Sequence, residues 1–111
     1  MKMGNTNENI VLTEAVYYIL LSLYKPLHGY GIMQNVEQLS NGRVKLAAGT
    51  LYGAINTLLE KYWIEALPGE KNSRKKVYII AADGKDAVEN EVRRLRELIA
   101  NGEAIEGGIV K

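Results

Sequence analysis

The segment from Gly49 to Tyr62 constrains the fold more than any other part of this sequence. Its apolar residues recur at steps of three and four, the spacing that places side chains on one face of an α-helix. They are Leu51, Tyr52, Ile55, Leu58, Leu59 and Tyr62, and the opposite face carries Thr50, Gly53, Asn56, Thr57, Glu60 and Lys61. The apolar face has to be buried, whereas the slim polar face could enter a nucleic-acid groove, as the second helix of a helix-turn-helix does. The periodicity also describes an amphipathic core helix that binds nothing.

Composition sets the class of protein. A length of 111 residues, with 47% hydrophobic and 24% charged residues, is typical of a single globular domain. The absence of cysteine excludes disulfides and thiolate metal sites, so an intracellular, cytoplasmic location is the expectation. Residues 10–23 are apolar but are interrupted by Thr13, Glu14 and Ser22 and lack a basic leader, so neither a signal peptide nor a membrane span is predicted.

A first helix is predicted from Thr13, a residue type that caps helix N-termini, to the break at Lys25-Pro26. Its apolar and aromatic residues cover much of its circumference: Ala15, Val16, Tyr17, Tyr18, Ile19, Leu20, Leu21 and Leu23. A helix with so little polar surface lies in a core or packs against a second molecule.

A second helix is predicted to open at Leu27–Gly31 and to close at Asn41-Gly42, with Ile32, Met33, Val36 and Leu39 on its buried side. His28 is the single histidine, so a metal site or catalytic dyad lacks partners. A structural role is expected, and the alternative is a hydrogen bond to backbone or phosphate at the helix entrance. Residues 43–46 alternate polar and apolar, which predicts a short strand.

Two strand-like runs, residues 64–67 and 77–80, flank a segment rich in turn formers and basic residues. A hairpin with a positive tip is therefore predicted. Helix, helix, strand, helix and basic hairpin form the element order of a winged helix, whose wing lies along the phosphate backbone. Taken by itself, the basic segment between the strands could also be a solvent-exposed, lysine-rich loop without a role in DNA binding.

The last helix is predicted from Asp83 to about Ala100, ending at Asn101-Gly102. Its apolar seam consists of Val88, Val92, Leu95 and Ile99, which is too short for a free coiled coil and must be completed by another surface. The first helix is the candidate, within the chain or from a second copy. The predicted organisation is a DNA-binding unit over residues 1–82 followed by a helix and tail over residues 83–111.

Three motifs in this order resemble the PadR family of bacterial transcriptional regulators: Leu27–Ile32, Gly49–Tyr52, and Arg74-Lys75-Lys76 before Tyr78. The likeness spans roughly residues 10–100. It implies a mainly α fold with a small β-hairpin, namely a winged helix-turn-helix followed by a C-terminal dimerisation helix. It further implies a homodimeric repressor released by a small ligand. The dimer interface would then draw on the first and last helices, with Val16, Tyr17, Leu20, Val88, Val92, Leu95 and Ile99.

On this reading the residues expected to face DNA come from the central helix, the wing and the start of the second helix. They are Tyr30, Thr50, Tyr52, Gly53, Asn56, Thr57, Lys71, Arg74, Lys75 and Lys76. In a dimer, two reading helices about one turn of DNA apart call for an inverted-repeat operator in double-stranded DNA. Asn56 and Thr57 stand where the family often has basic residues, so an A/T-rich site is the hypothesis.

Three further departures from the family pattern affect stability. Tyr62 stands at a usual glycine, where a left-handed tyrosine would be strained by about 1 kcal/mol, so the turn must either differ from the usual one or tolerate the strain. Ala47 and Ala81 stand where the family often has a capping serine or threonine, so both helix caps are expected to be weaker than usual by about 0.5–2 kcal/mol each.

The sequence also bears on three other functions: effector binding, enzymatic activity and binding to another protein. Tyr17, Tyr18 and Tyr24 could line an interface pocket for an aromatic or phenolic effector, or they could simply pack the dimer. With no cysteine, one histidine and no phosphate-cradling glycine loop, neither an enzyme nor a bound cofactor or metal is expected. A winged helix that binds another protein and has lost DNA reading is the alternative function.

Overall fold

The computed structural model describes residues 11–68 and 76–108, and these contain four helices and three strands. In chain order the elements are α1 (Glu14–Ser22), β1 (Leu27–His28), α2 (Gly29–Leu39), α3 (Ala48–Glu60), β2 (Ile64–Leu67), β3 (Val77–Ile80) and α4 (Ala82–Glu106). The sheet is antiparallel with the order β1-β3-β2. The predicted fold class, a mainly α winged helix with a small β-hairpin and a long last helix, is confirmed.

Helix α1 begins as predicted. The side-chain oxygen of Thr13 accepts a hydrogen bond from the Val16 amide (3.1 Å), which caps the N-terminus. Ile19 and Leu20 are fully buried in the core between the helices. The expectation that Leu20 lies in a dimer interface is therefore wrong, because the chain's own core covers this side chain completely.

The β-hairpin also has the predicted strands, with Ile64 opposite Ile80 and Leu67 opposite Val77. The third strand differs from expectation: it is formed by Leu27 and His28, which pair with Tyr78 and Val77. No strand forms at residues 43–46. There the Val44 amide donates to the Ser40 hydroxyl (2.9 Å), and Arg43 pairs with Glu14, so this segment is held by α1 and α2 instead of by a sheet.

Helix α2 is fixed at both ends by local contacts. The Gly31 amide donates to Nδ1 of His28 (3.3 Å), so the histidine caps the helix. This is the hydrogen bond to backbone at the helix entrance that was one of the predicted roles of His28. The chain then leaves α2 through two left-handed residues, Asn41 (φ 55°) and Gly42 (φ 82°), as predicted. Leu39, expected to be buried, is 44% exposed because it is the last residue of the helix and lies beyond the core.

Helix α3 buries Leu51, Ile55 and Leu58, each at most 2% exposed. It starts at Ala47 without a side-chain cap, as does α4 at Ala81, which confirms both predictions. Tyr62 adopts a left-handed conformation (φ 62°), so of the two alternatives for this turn the one that tolerates strain is observed, and at 78% exposure the side chain does not belong to the buried face.

Helix α4 is longer than predicted, because Asn101 and Gly102 continue it to Glu106. At its start, a β-carbon at Gly84 would collide with the Trp63 carbonyl, so glycine allows α4 to approach the hairpin closely. Val88 is only 4% exposed. Its assignment to a dimer interface is wrong because, as for Leu20, the chain's own core already covers the side chain.

The exposed apolar residues of α4 lie further along the helix. They are Leu98 (51% exposed), Ile99 (57%) and Ile105 (70%). Among the described residues, no helix combines the length and apolar character needed to cross a lipid bilayer.

Candidate nucleic-acid interface

The outward face of α3 has the composition that the sequence predicts. Thr50, Gly53, Asn56 and Thr57 are all exposed, on the side opposite the buried Leu51. The Thr57 hydroxyl donates to the Gly53 carbonyl (3.2 Å), so its proton is used within the helix and its oxygen can still accept a hydrogen bond. A β-carbon at Gly53 would meet open space. The helix therefore presents a slim surface on which its backbone is accessible.

A groove of about 500 Å³ runs beside this face and joins three elements. Four of the residues predicted to contact DNA line it: Tyr30 from α2, Tyr52 and Asn56 from α3, and Lys76 at the start of the hairpin's second arm. Residues that are 46 positions apart in sequence, Tyr30 and Lys76, thus share one surface. The wing residues Lys71, Arg74 and Lys75 lie outside the described residues.

Tyr52 occupies the boundary between the buried and exposed faces of α3, with 45% of its surface exposed. Its ring and hydroxyl pack over Gly29, where a β-carbon would collide with the hydroxyl oxygen. The glycine of the His28-Gly29-Tyr30 motif thus allows α3 to approach the first turn of α2. The sequence pattern placed Tyr52 on the buried stripe, and the contact with Gly29 explains why it is only partly covered.

Three groove residues were missing from the predicted contact set: His28, Gly29 and Tyr78. Tyr78 is 6% exposed, and its pKa is raised by burial and, to a smaller degree, by the neighbouring Tyr52. It therefore remains a protonated hydrogen-bond donor at neutral pH. The sequence carried one signal for these residues, because all three belong to the motifs that resemble the PadR pattern.

Among the described residues, no carboxylate lines the groove. Its side-chain groups are hydroxyls, an amide, an imidazole and the Lys76 ammonium, set beside the N-terminus of α2. Hydrogen-bond donors, a cation and a helix N-terminus all favour an anionic ligand over a cationic one.

The tyrosines proposed for an effector are only partly brought together. Tyr17 and Tyr18 line a cavity of about 350 Å³ between α1 and α4, with ring centroids 5.8 Å apart. Glu91 and Arg94 form its polar wall. Tyr24 is not part of this cavity, because it lies beyond the end of α1, where the Lys85 ammonium sits 5.7 Å from its ring centroid. Within a single chain, the three tyrosines therefore do not line one pocket.

The remaining residues assigned to a dimer interface keep some exposed surface. Val16, Tyr17, Val92 and Leu95 are half-buried, and Ile99 is exposed. Of these five residues, Ile99 is the one that is exposed next to the exposed Leu98 of α4.

A three-helix unit, a three-stranded sheet with a β-hairpin, an exposed reading-type helix and a groove suited to anions define a winged helix-turn-helix protein. Residues 17–90 match the family model described as "Transcriptional regulator PadR-like family". The chain belongs to this family, whose members are transcription regulators and not enzymes.

Solved structures share the fold. A PadR family transcription regulator from Clostridium difficile R20291 has a TM-score of 0.71 at 22% identity, over 84% of this chain and 98% of that one. Bacillus subtilis PadR in complex with operator DNA has a TM-score of 0.61 at 21% identity, over 69% of this chain and 45% of that one.

A curated relative, the "Uncharacterized 37.1 kDa protein in transposon TN4556" of Streptomyces fradiae, is 34% identical over 73 residues. These residues amount to 66% of this chain, and they span 20% of the length of that relative.

Proposed function

We propose that this protein is a homodimeric repressor that binds an inverted-repeat operator in double-stranded DNA through α3 and the wing. One observation carries the proposal: the exposed polar face of α3 opens onto a groove that is bordered by Lys76 and to which residues 11–68 and 76–108 contribute no carboxylate. The family membership and the Bacillus subtilis PadR complex with operator DNA support it.

Helix α3 reads the major groove. Asn56 is exposed in the middle of the helix, where its amide can pair bidentately with adenine, and the methyl group of the exposed Thr57 can contact a thymine methyl. Thr50, in the first turn, contacts a phosphate, and Gly53 allows the helix backbone to approach the DNA. The operator half-site is consequently A/T-rich.

The wing supplies affinity that does not depend on sequence. Lys76 borders the groove, and Lys71, Arg74 and Lys75 precede it in the chain. Each phosphate that these residues neutralise adds about 0.9 to the slope of log affinity against log salt.

Two copies associate through α4 and α1, with the exposed Leu98 and Ile99 at the centre of the contact. A small aromatic or phenolic effector binds in the cavity lined by Tyr17 and Tyr18, between the two helices that carry the interface. Binding there shifts α4 against α1 and so changes the distance between the two reading helices, which releases the operator.

Fluorescence anisotropy with a duplex from the protein's own promoter and a random duplex, over a range of salt concentrations, tests the proposal. We expect Asn56→Ala to lower affinity for the promoter duplex by about fivefold or more while leaving the random duplex nearly unaffected. Lys76→Ala should weaken both duplexes and reduce the salt slope. Lys25→Ala is the matched control, because the register of β1 with β3 places Lys25 toward the opposite end of the sheet from Lys76.

Equal affinity of the wild-type chain for promoter and random duplexes would contradict sequence-specific regulation. Absence of binding to either duplex would instead favour the alternative class, a winged helix that binds another protein.

A further inference from the structure

The groove beside α3 is lined by a buried tyrosine, Tyr78, whose hydroxyl is a hydrogen-bond donor. Tyr78 lies on β3 with its ring buried (6% exposed) and lines the groove. Within residues 11–68 and 76–108, no group forms a hydrogen bond with its hydroxyl. The hydroxyl of a tyrosine in a protein core normally forms a hydrogen bond, and phenylalanine would serve equally well for packing alone. The buried ring therefore delivers an unused donor to the groove.

Other donors converge on the same place from different elements. Nδ1 of His28 accepts from the Gly31 amide, so the proton of the neutral ring lies on Nε2, which is free to donate. The Tyr52 hydroxyl is held against Gly29 at the first turn of α2, and Lys76 lies two residues before Tyr78. The positive end of the α2 dipole adds to their field.

We propose that this groove is a clamp for a single backbone phosphate of the operator, whose oxygens accept hydrogen bonds from Tyr52 and Tyr78. The clamp rests on the proposed DNA-binding function and specifies how the protein is positioned on the duplex. Because β3, α2 and α3 all contribute to it, one gripped phosphate fixes the wing and the reading helix relative to the same strand. The clamp carries no sequence information itself, but it sets the register in which Asn56 meets the bases.

The protonation states suit this role. Burial and, to a smaller degree, the neighbouring Tyr52 raise the pKa of Tyr78, so the hydroxyl of Tyr78 keeps its proton throughout the physiological pH range. A phosphodiester is the ligand with the matching chemistry, because it is an anion that accepts several hydrogen bonds and lies beside any helix that enters the major groove.

Tyr52→Phe and Tyr78→Phe test the clamp, with Tyr24→Phe as the matched control. Tyr24 is a half-exposed tyrosine that does not line the groove. We expect each groove variant to lower operator affinity by about threefold to tenfold, the range for the loss of one hydrogen bond. Its thermal unfolding midpoint should remain that of the wild type, because the missing hydroxyl has no partner among the described residues. Tyr24→Phe should bind as the wild type does.

A series of operator duplexes, each with one phosphate replaced by a neutral methylphosphonate, provides the decisive measurement. At one position per half-site, the replacement should weaken wild-type binding by about tenfold or more, and it should weaken binding of the Tyr52→Phe/Tyr78→Phe variant by less. This non-additivity identifies the gripped phosphate even if a variant is somewhat less stable.

The two possible failures are distinguishable. If the wild-type chain does not bind the promoter duplex, the proposed function fails, and the clamp fails with it. If the wild-type chain binds specifically but the double variant has the same affinity and the same methylphosphonate profile, the clamp alone is overturned.

Discussion

Tyr62 shows how a single residue at a helix exit affects stability. It holds a left-handed conformation (φ 62°), which places the β-carbon of an L-residue close to the backbone carbonyl oxygen. The conformation allows the chain to turn directly from α3 into β2, and the Trp63 amide donates to the Leu58 carbonyl (3.0 Å) within this turn. Because the side chain is 78% exposed, little burial offsets the strain.

Tyr62→Gly should therefore stabilise the protein. We expect the free energy of unfolding to rise by up to about 1 kcal/mol, since relief of the left-handed strain exceeds the added flexibility of glycine in the unfolded chain. Trp63, the single tryptophan and 4% exposed, reports urea unfolding by its fluorescence.

Asn41→Gly is the control for this measurement. Asn41 is also left-handed (φ 55°), but asparagine tolerates that conformation, so the gain should be only a few tenths of a kcal/mol. A Tyr62→Gly protein that is no more stable than the wild type would show that the turn is not strained.

At the level of elements, α4 is tied to the segment before α1 by a buried carboxylate. Glu91 is 3% exposed, accepts a hydrogen bond from the Leu12 amide (3.4 Å) and receives another from Nε of Arg94 (3.0 Å). The Arg94 guanidinium lowers the pKa of Glu91, and the Leu12 hydrogen bond adds to this effect against the opposing effect of burial.

This arrangement makes stability depend on pH in a defined direction. The folded-state pKa of Glu91 lies below its ordinary value of 4.5, so folding favours the ionised form. The contribution is fully present above about pH 5.5 and is lost as the pH falls through the lower, folded-state pKa.

We expect Glu91→Gln to lower the free energy of unfolding by about 1–2 kcal/mol at pH 7, because the amide cannot replace a charged acceptor. The difference from the wild type should shrink below pH 4.5, as the wild-type carboxylate becomes protonated. Urea unfolding at several pH values between 7 and 3.5 measures it. Glu103→Gln, at an exposed position of the same helix, should track the wild type, and a pH-independent deficit in Glu91→Gln would exclude the ionised pair as the cause.

The elements differ in how far the sequence predicts them. Strands β2 and β3 are predictable because each has four residues of strand-type sequence beside turn formers. Strand β1 has only two residues, which are too few to show an alternation of polar and apolar side chains. Asn101-Gly102 indicated a helix end, yet helical hydrogen bonding continues through both. At the site, the exposed face of α3 follows from periodicity. The packing of Tyr52 on Gly29 and the position of Tyr78 depend on contacts between distant segments, which periodicity does not encode.

The shape of the whole molecule directs attention to the second half of α4. The chain is elongated (64 × 40 × 21 Å), and the last turns of this 25-residue helix carry Leu98, Ile99 and Ile105, each more than half exposed. Val88, which begins the predicted seam, is instead buried within the chain. In the proposed dimer, the apolar surface available to a second copy is therefore displaced toward the C-terminal half of α4.

Ile99→Glu should consequently separate the copies without unfolding them, because the new carboxylate replaces a residue that is 57% exposed in the single chain. In sedimentation at micromolar concentration, we expect the wild type to be a dimer and the variant a monomer. Affinity for the inverted repeat should fall by about a hundredfold or more, toward the affinity for one half-site, because the second reading helix is no longer tethered. Leu39→Glu alters an apolar residue of similar exposure (44%) on α2 and should leave both the dimer and the operator affinity intact. A wild-type chain that sediments as a monomer would exclude the dimeric reading of the operator, while dissociation by Leu39→Glu would place the interface on α2 instead of α4.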